Sequence, residues 1–159
     1  MKKIFLFAFS FVFALAAYSQ ANTEELKYLQ SMFGMDKKHF IAERMQITKA
    51  DSAKFWSDYD EYELFRSEIA DKRAGNVLKY SENYSKLTVA QTDALLKTTF
   101  EINDEFTKLL QKTYKIMAKD VSAIKAGQFV YLEFYCEALG RVKLAEMIPT
   151  IGQVPELKK

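Results

Sequence analysis

Few residues in this chain have the types and spacing that catalytic chemistry requires. His39 is the single histidine and Cys136 the single cysteine among 159 residues. A serine–histidine–aspartate triad needs a histidine between its acid and its nucleophile, and a zinc site of several imidazoles needs more than one histidine. No set of acid, base and nucleophile accompanies either residue. The sequence therefore predicts no catalytic residue, no metal ligand and no cofactor, and we do not expect an enzyme.

Four acidic residues close together in sequence form the densest group of carboxylates. They are Asp58, Asp60, Glu61 and Glu63. Carboxylates are the ligands that hard cations prefer, but a calcium loop also needs a glycine that turns the chain, and none follows here. In a helix these four side chains spread around the cylinder. We interpret them as a solvated acidic face.

Glu133 is the most unusual carboxylate, because Phe129 and Cys136 lie on the same face when the segment is drawn as a helix. A buried carboxylate needs a partner, and an arginine can donate two parallel hydrogen bonds to it. We predict a buried ion pair between Glu133 and Arg66 or Arg73 on an earlier helix. Cys136 is expected to be a buried small side chain, with an intermolecular disulfide as the alternative.

Residues 1–21 have the three parts of a secretory signal peptide: two lysines, an apolar run over residues 4–17, and small residues at the end. The run is shorter than the roughly 20 residues that cross a bilayer. We expect cleavage after Ala21, or alternatively after Ser19, with an uncleaved anchor as the other interpretation. No cysteine follows the run to accept a lipid. The mature chain is therefore expected in the periplasm, without stable membrane insertion.

Cleavage changes the charge of the chain. Removing Lys2 and Lys3 from 23 basic residues leaves 21, which equals the 21 acidic residues. A chain without net charge and without a long basic run has no electrostatic footprint for nucleic acid or an anionic membrane. Residues 22–148 have the common size of one domain, and residues 149–159, which contain both prolines, are expected to be a loose tail.

Glycine and proline are scarce, with 5 and 2 residues, which favours helices over a sandwich or barrel. The spacing of apolar residues predicts two short helices over residues 23–34 and 36–45, and three long helices over 48–80, 88–120 and 123–147. The wide apolar stripe of the second long helix is typical of a central helix. We therefore predict an all-α fold, an antiparallel helical bundle or a curved cradle.

Two helix starts are marked by capping residues. Thr88 and Gln91 have the spacing of a capping box, in which each side chain accepts a hydrogen bond from the backbone N–H of the other residue. Thr48 and Asp51 form a variant of the same element. Near residues 120–122 the chain is expected to break and restart, because aspartate and serine favour caps.

Aromatic residues make up 14% of the chain, more than one small core readily encloses, so some are expected at the surface. We interpret four of them as candidate partner-binding residues, with core packing as the alternative. They are Trp56, Tyr59, Tyr131 and Phe134. On the last helix, the spacing of apolar residues predicts that the buried side is formed by Leu132, Tyr135, Leu139 and Val142.

The helix starts carry a family resemblance. Residues 87–91 read Leu-Thr-Val-Ala-Gln, residues 47–51 are a version with aspartate as the last residue, and residues 121–129 hold a degenerate copy. Together with the signal peptide and the helix-only pattern, these elements make residues 36–148 similar to the Spy/CpxP group of periplasmic proteins. The resemblance implies a thin, curved, often dimeric cradle that holds unfolded polypeptides without ATP or takes part in envelope-stress sensing.

Two functional hypotheses follow from the residues and the resemblance. The first is an exported helical protein that binds unfolded polypeptide, either as a monomer or as a homodimer. The second is a structural or regulatory adaptor that binds one envelope protein and has no chaperone activity. In both, the capping residues Thr48, Asp51, Thr88 and Gln91 are structural and do not contact a partner.

Overall fold

The protein is all-α, as predicted. A computed structural model describes residues 37–147 and residue 151, and no strand occurs among them. The helices are α1 over residues 37–45, α2 over Lys49–Ser81, α3 over Val89–Asp120 and α4 over Ala123–Met147. The predicted signal peptide, the predicted helix over 23–34 and nearly all of the predicted tail lie outside the described residues.

The contacts between residues divide the chain into two compact units, Met1–Phe40 and Ile41–Lys159. The second unit contains the three long helices, in which α2 packs along α3 and α3 packs along α4. Ion pairs give the direction of α2 against α3: Lys72 meets Glu105, whereas Glu61 meets Lys112. The two helices are therefore antiparallel. Among the described helices, none combines the length and hydropathy that a membrane span requires.

Side-chain caps start both α2 and α3. Thr48 accepts a hydrogen bond from the Asp51 backbone N–H at 3.3 Å and donates its hydroxyl to the Asp51 carboxylate at 2.7 Å. At α3 the box is reciprocal, because the Gln91 N–H donates to Thr88 Oγ1 and the Thr88 N–H donates to Gln91 Oε1. Each cap satisfies backbone donors that the first turn leaves unpaired.

Aromatic side chains fill the space between α2 and α4. The Phe129 ring on α4 meets the rings of Phe55, Tyr59 and Tyr62 on α2, with centroids 5.1–6.1 Å apart and planes at 80–90°. This edge-to-face geometry is the one that aromatic quadrupoles favour. The central helix contributes Ile102, Phe106, Leu110, Thr113 and Met117 to the core. Aromatic side chains thus bring α2 and α4 into direct contact, in addition to the packing of each helix against α3.

The buried face predicted for α4 is wrong. Three residues predicted to be buried are exposed, namely Tyr135, Leu139 and Val142. The side chains that do face the core are those of Ala126, Phe129 and Glu133. Apolar residues surround α4 almost completely, so their spacing does not select one face, and the packing of Phe129 against the α2 aromatic rings decides the orientation.

Candidate functional site

A buried hydrogen bond between α2 and α4 holds the most unusual carboxylate of the chain. The Tyr62 hydroxyl donates to Glu133 Oε2 at 2.6 Å, and the two side chains are 1% and 2% exposed. Burial, followed by the adjacent Glu133 carboxylate, raises the pKa of the Tyr62 phenol far above its ordinary value. The phenol therefore stays protonated and remains a donor. Hydrogen bonds to a charged acceptor are commonly short, and the 2.6 Å distance lies in their range.

The arginines predicted to pair with Glu133 pair with other glutamates. Arg66 Nε donates to Glu63 at 2.8 Å, and Arg73 Nη1 lies 2.7 Å from Glu137. Arg66 still senses the buried carboxylate: burial alone would lower its pKa, but Glu63 and then Glu133 outweigh this effect and raise it. The predicted ion pair is thus replaced by a phenol–carboxylate bond, with Arg66 near it.

Glu137 lies one helical turn after Glu133 and takes part in a network that links three helices. Its carboxylate lies 2.7 Å from Arg73 of α2 and 2.9 Å from Arg141 of its own helix. Arg141 in turn donates to Asn103 of α3 at 2.7 Å. Glu137 and Arg141 stand one helical turn apart in the sequence, but the contacts to α2 and α3 join residues distant in sequence. This network therefore holds α4 against both α2 and α3.

Burial is the first cause that raises the pKa values of Tyr59 and Tyr62, so neither phenol ionises near neutral pH. Within residues 37–147 and 151, no group of three or more His, Cys, Asp or Glu side chains is placed to hold a metal ion. Because it joins two helices through buried side chains, we interpret the Tyr62–Glu133 contact as a register lock between α2 and α4.

Two of the acidic residues of α2, Asp58 and Glu61, line a groove between α2 and α3. Tyr62, Phe65 and Leu109 line its floor, and the Lys112 ammonium covers the Phe65 ring at 5.0 Å. Asp58 lies at this groove, and its Oδ2 is buried with no hydrogen-bond partner among the described residues. Burial, then the nearby carboxylates of Asp120 and Glu61, raise the pKa of Asp58. The Glu61–Lys112 ion pair, at 3.3 Å, joins the two helices along the groove.

The surface best suited to binding is the outer face of α4. Six large apolar side chains there are between 45% and 79% exposed. They are Ile124, Tyr131, Phe134, Tyr135, Leu139 and Val142, and we call them the α4 apolar face. At 3.6 residues per turn they lie within about 140° of the helix circumference and run along most of its length.

No charged side chain interrupts the α4 apolar face. Of the charged residues between its ends, Lys125 donates its ammonium to the Met45 carbonyl and Glu133 is buried against Tyr62. The other two, Glu137 and Arg141, bind each other and the neighbouring helices. These contacts thus direct the four charged side chains toward neighbouring parts of the chain, and Arg141, which is about half exposed, lies at the border of the face.

The four aromatic residues predicted to bind a partner divide into two pairs. Tyr131 and Phe134 belong to the α4 apolar face. On α2, Tyr59 is a buried core residue, so its predicted contact with a partner is wrong. Trp56 is half-buried, and its ring meets those of Phe55 and Tyr59 with centroids 4.9 and 5.3 Å apart. Phe55, Tyr59 and Tyr62 follow one another at helical steps of four and three residues, and all three are buried on one side of α2.

The α4 apolar face is large for a chain of this size. Taking full areas of about 150–250 Å² for aromatic side chains and slightly less for aliphatic ones, its six residues expose about 600 Å². Contiguous apolar patches beyond a few hundred Å² mark interaction sites on soluble proteins. Sequence spacing did not identify Ile124, Tyr135, Leu139 or Val142 as surface residues.

No protein-family model matches this chain, and comparisons with curated proteins and with solved structures gave no match either. Its function is therefore inferred from its residues and their geometry.

Proposed function

We propose that this chain is an exported protein that binds unfolded polypeptide, and that the α4 apolar face holds the apolar segments of its clients without nucleotide. The observation that carries this proposal is the uncharged surface of six exposed apolar side chains along one helix. Burial of apolar area is favourable and has no directional requirement, so such a surface accepts many sequences.

The residue types of the face suit a polypeptide partner. Tyr131 and Tyr135 present a flat apolar ring together with a hydroxyl, so they can cover apolar side chains and also bond the polar backbone of a client. Aromatic side chains also provide contact area at a small cost in conformational entropy. We expect modest affinity and broad selectivity, because the face lacks the charges that would select one partner.

The support behind α4 makes the face rigid. Phe129 is fully buried against α2, and the Tyr62–Glu133 and Arg73–Glu137 contacts hold successive turns of α4 to α2. A surface that is already ordered loses less entropy when a client binds. The hydrogen bonds within the bundle thus support binding on its outer side.

Export is supported by the sequence of residues 1–21. The similarity of residues 36–148 to the Spy/CpxP group, carried by the helix starts at Thr48 and Thr88, favours the same compartment and a chaperone-like role. We place the protein in the periplasm on these grounds.

A second candidate is an adaptor that recognises one envelope protein. It is favoured by the concentration of Tyr131, Phe134 and Tyr135 at the middle of the face, since aromatic residues at the centre of an interface commonly supply most of its binding energy. Crosslinking in cells separates the two functions, because a chaperone traps many partners and an adaptor traps one.

Suppression of aggregation by variants of the face tests the main proposal. The double variant Phe134→Ser/Leu139→Ser removes two exposed side chains of the face. The matched control Phe100→Ser/Leu64→Ser makes the same substitutions at 63% and 62% exposed positions on α3 and α2. Both variants are first shown to be folded by circular dichroism.

We expect the wild type and the control to suppress light scattering of a denatured client at stoichiometric amounts, without nucleotide. The variant of the face should lose most of this suppression. Equal loss in both variants, or no suppression by the wild type, would reject the α4 apolar face as the client site.

A further inference from the structure

We infer that the solvent-facing side of α3 adsorbs reversibly to a membrane surface that carries anionic phosphate headgroups. Four lysines of α3 make this contact. They are Lys108, Lys112, Lys115 and Lys119, and we name them the α3 lysine stripe. The stripe shares no residue with the α4 apolar face, so this inference goes beyond the proposed function and does not depend on it.

The α3 lysine stripe is straight and faces solvent. Its residues follow one another at steps of four, three and four, so they lie within about 60° of one another around the helix. All four are exposed, whereas Leu110, Thr113 and Met117, which alternate with them, are buried. The stripe therefore lies on the side of α3 opposite the core, and it extends about 17 Å along the axis at 1.5 Å per residue.

Opposite charges are separated along α3. Residues 106–119 contain the four lysines of the stripe and no acidic residue. Residues 89–105 contain one lysine and four acidic residues, namely Asp93, Glu101, Asp104 and Glu105. The predicted lack of an electrostatic footprint rested on net charge and on runs of consecutive basic residues. Neither quantity detects four lysines that come together only when the helix forms.

Three of the four lysines are available to an external partner. Lys108, Lys115 and Lys119 form no ion pair within residues 37–147 and 151. Lys112 lies 3.3 Å from Glu61 of α2, but these two side chains are 57% and 55% exposed. Ion pairs at such exposed positions contribute little free energy, so an anionic surface can replace Glu61 as the partner of Lys112.

The length of the stripe favours an extended array of negative charges over a single small anion. One phosphate group cannot meet four ammonium groups that are spread over about 17 Å, whereas the headgroups of an anionic membrane present many charges in one plane. The stripe contains lysines and no arginine. A lysine ammonium is a compact point charge on a flexible stem, so it suits mobile headgroups that offer no fixed bidentate geometry.

Binding through the stripe is weak, reversible and sensitive to salt. Each lysine close to an anionic membrane strengthens partitioning by about fivefold. Exposed charges act over about 30 Å at about 0.01 M salt, but only over about 8 Å at physiological ionic strength. Because adsorption uses α3 and the proposed client site is on α4, the membrane and a client do not compete for the same side chains.

Flotation with lipid vesicles tests this inference. The exported protein is mixed with vesicles of phosphatidylglycerol and phosphatidylcholine in equal parts, at about 0.01 M salt, where screening is weak. Vesicles of phosphatidylcholine alone are the uncharged comparison. The lipid concentration that binds half of the protein gives the partition coefficient.

Two variants with the same change in net charge locate the contact. The stripe variant replaces the three lysines that form no ion pair: Lys108→Gln/Lys115→Gln/Lys119→Gln. The matched control replaces three exposed lysines near the α2–α3 connection: Lys79→Gln/Lys86→Gln/Lys97→Gln. Circular dichroism first shows that both variants are folded.

We expect the wild type and the control to float with the anionic vesicles. The stripe variant should partition about a hundredfold more weakly, from three lysines at about fivefold each. Raising the salt to about 0.15 M should release most of the wild type. The variant Phe134→Ser/Leu139→Ser should float like the wild type even where it no longer suppresses aggregation, so the two proposals can fail separately.

Three results would overturn the inference. Equal loss of flotation in both lysine variants would show an effect of net charge and not of the stripe. Equal flotation with the uncharged vesicles, or none with the anionic ones, would exclude the anionic headgroups as the partner. Binding of polyglutamate by the wild type but not by the stripe variant, without flotation, would assign the stripe to an acidic polypeptide instead of a membrane.

Discussion

Substitution of Tyr62 by phenylalanine tests whether the contact with Glu133 holds α4 in its register. Tyr62→Phe removes one oxygen atom and keeps the ring that packs edge-to-face on Phe129 at 5.1 Å. The lost interaction is a 2.6 Å hydrogen bond to a carboxylate that is 2% exposed. Water cannot readily replace the missing donor at this depth.

The expected cost follows from the charge and burial of the acceptor. Removing a hydrogen bond to a charged group costs about 1.5–3 kcal/mol. For a domain of this size, each kcal/mol shifts the melting temperature by about 4 °C, so Tyr62→Phe should lower it by about 6–12 °C. In a Glu133→Gln background the bond is neutral on both sides, and the same substitution should cost only about 1 kcal/mol.

Thermal and urea unfolding, followed by circular dichroism at the helix band, measure both effects. Tyr131→Phe is the matched control, because it makes the same change at a tyrosine that is 79% exposed, and it should alter the free energy of unfolding by less than about 0.5 kcal/mol. If Tyr62→Phe changes stability no more than this control, the contact does not lock the register.

Three other predictions follow. Thr88→Ala removes the cap that starts α3 and should cost about 1 kcal/mol in urea unfolding, whereas Thr107→Ala, in the middle of the same helix, should be neutral or slightly stabilising. Asp58→Asn should raise the free energy of unfolding at neutral pH, because burial and Asp120 raise the pKa of Asp58 and its ionised form therefore destabilises the fold. In a pH series, this gain in stability should vanish as the pH falls below 3.8, where Asp58 is protonated in both the folded and the unfolded chain. A gain that does not depend on pH would contradict this explanation. Mass spectrometry of the exported protein should find Asn22 as its first residue, and an intact residue 1 would contradict cleavage.

The helices could be predicted from local chemistry. Thr48 and Thr88 fix the starts of α2 and α3 because their hydroxyls bond the N–H of a residue three positions later. Asp120 and Ser122 mark the break before α4, where the Ser122 hydroxyl accepts from the Lys125 N–H. These interactions involve neighbouring residues, so the sequence alone is enough to predict them.

The orientation of α4 could not be predicted, because it depends on contacts distant in sequence. Apolar residues occur on every side of this helix, so their spacing does not identify its buried side. The prediction that Leu139 and Val142 are buried was therefore wrong. Phe129 decides the outcome by fitting among the rings of α2. The same contact turns Tyr131 outward and brings Glu133 to Tyr62.

The partner of Glu133 was missed for a related reason. Charge favoured Arg66 or Arg73, but both arginines lie beside closer glutamates, Glu63 and Glu137. Tyr62 has a hydroxyl and follows Phe55 and Tyr59 at helical steps of four and three residues, so a search for uncharged donors on that side of α2 would have found it. A buried carboxylate is expected to bond a donor that loses little solvation free energy on burial, and an uncharged phenol loses less than a charged guanidinium.

Site-specific photocrosslinking to an unfolded client most directly tests whether the outer side of α4 binds polypeptide. A photoreactive amino acid is placed at Gln128 or Ala138, two exposed positions on the outer side of α4, and for comparison at Ser57 or Ser67 on the exposed side of α2. We predict client adducts from the two α4 positions and almost none from the α2 positions. Equal adducts from both helices, or none from α4, would contradict the account.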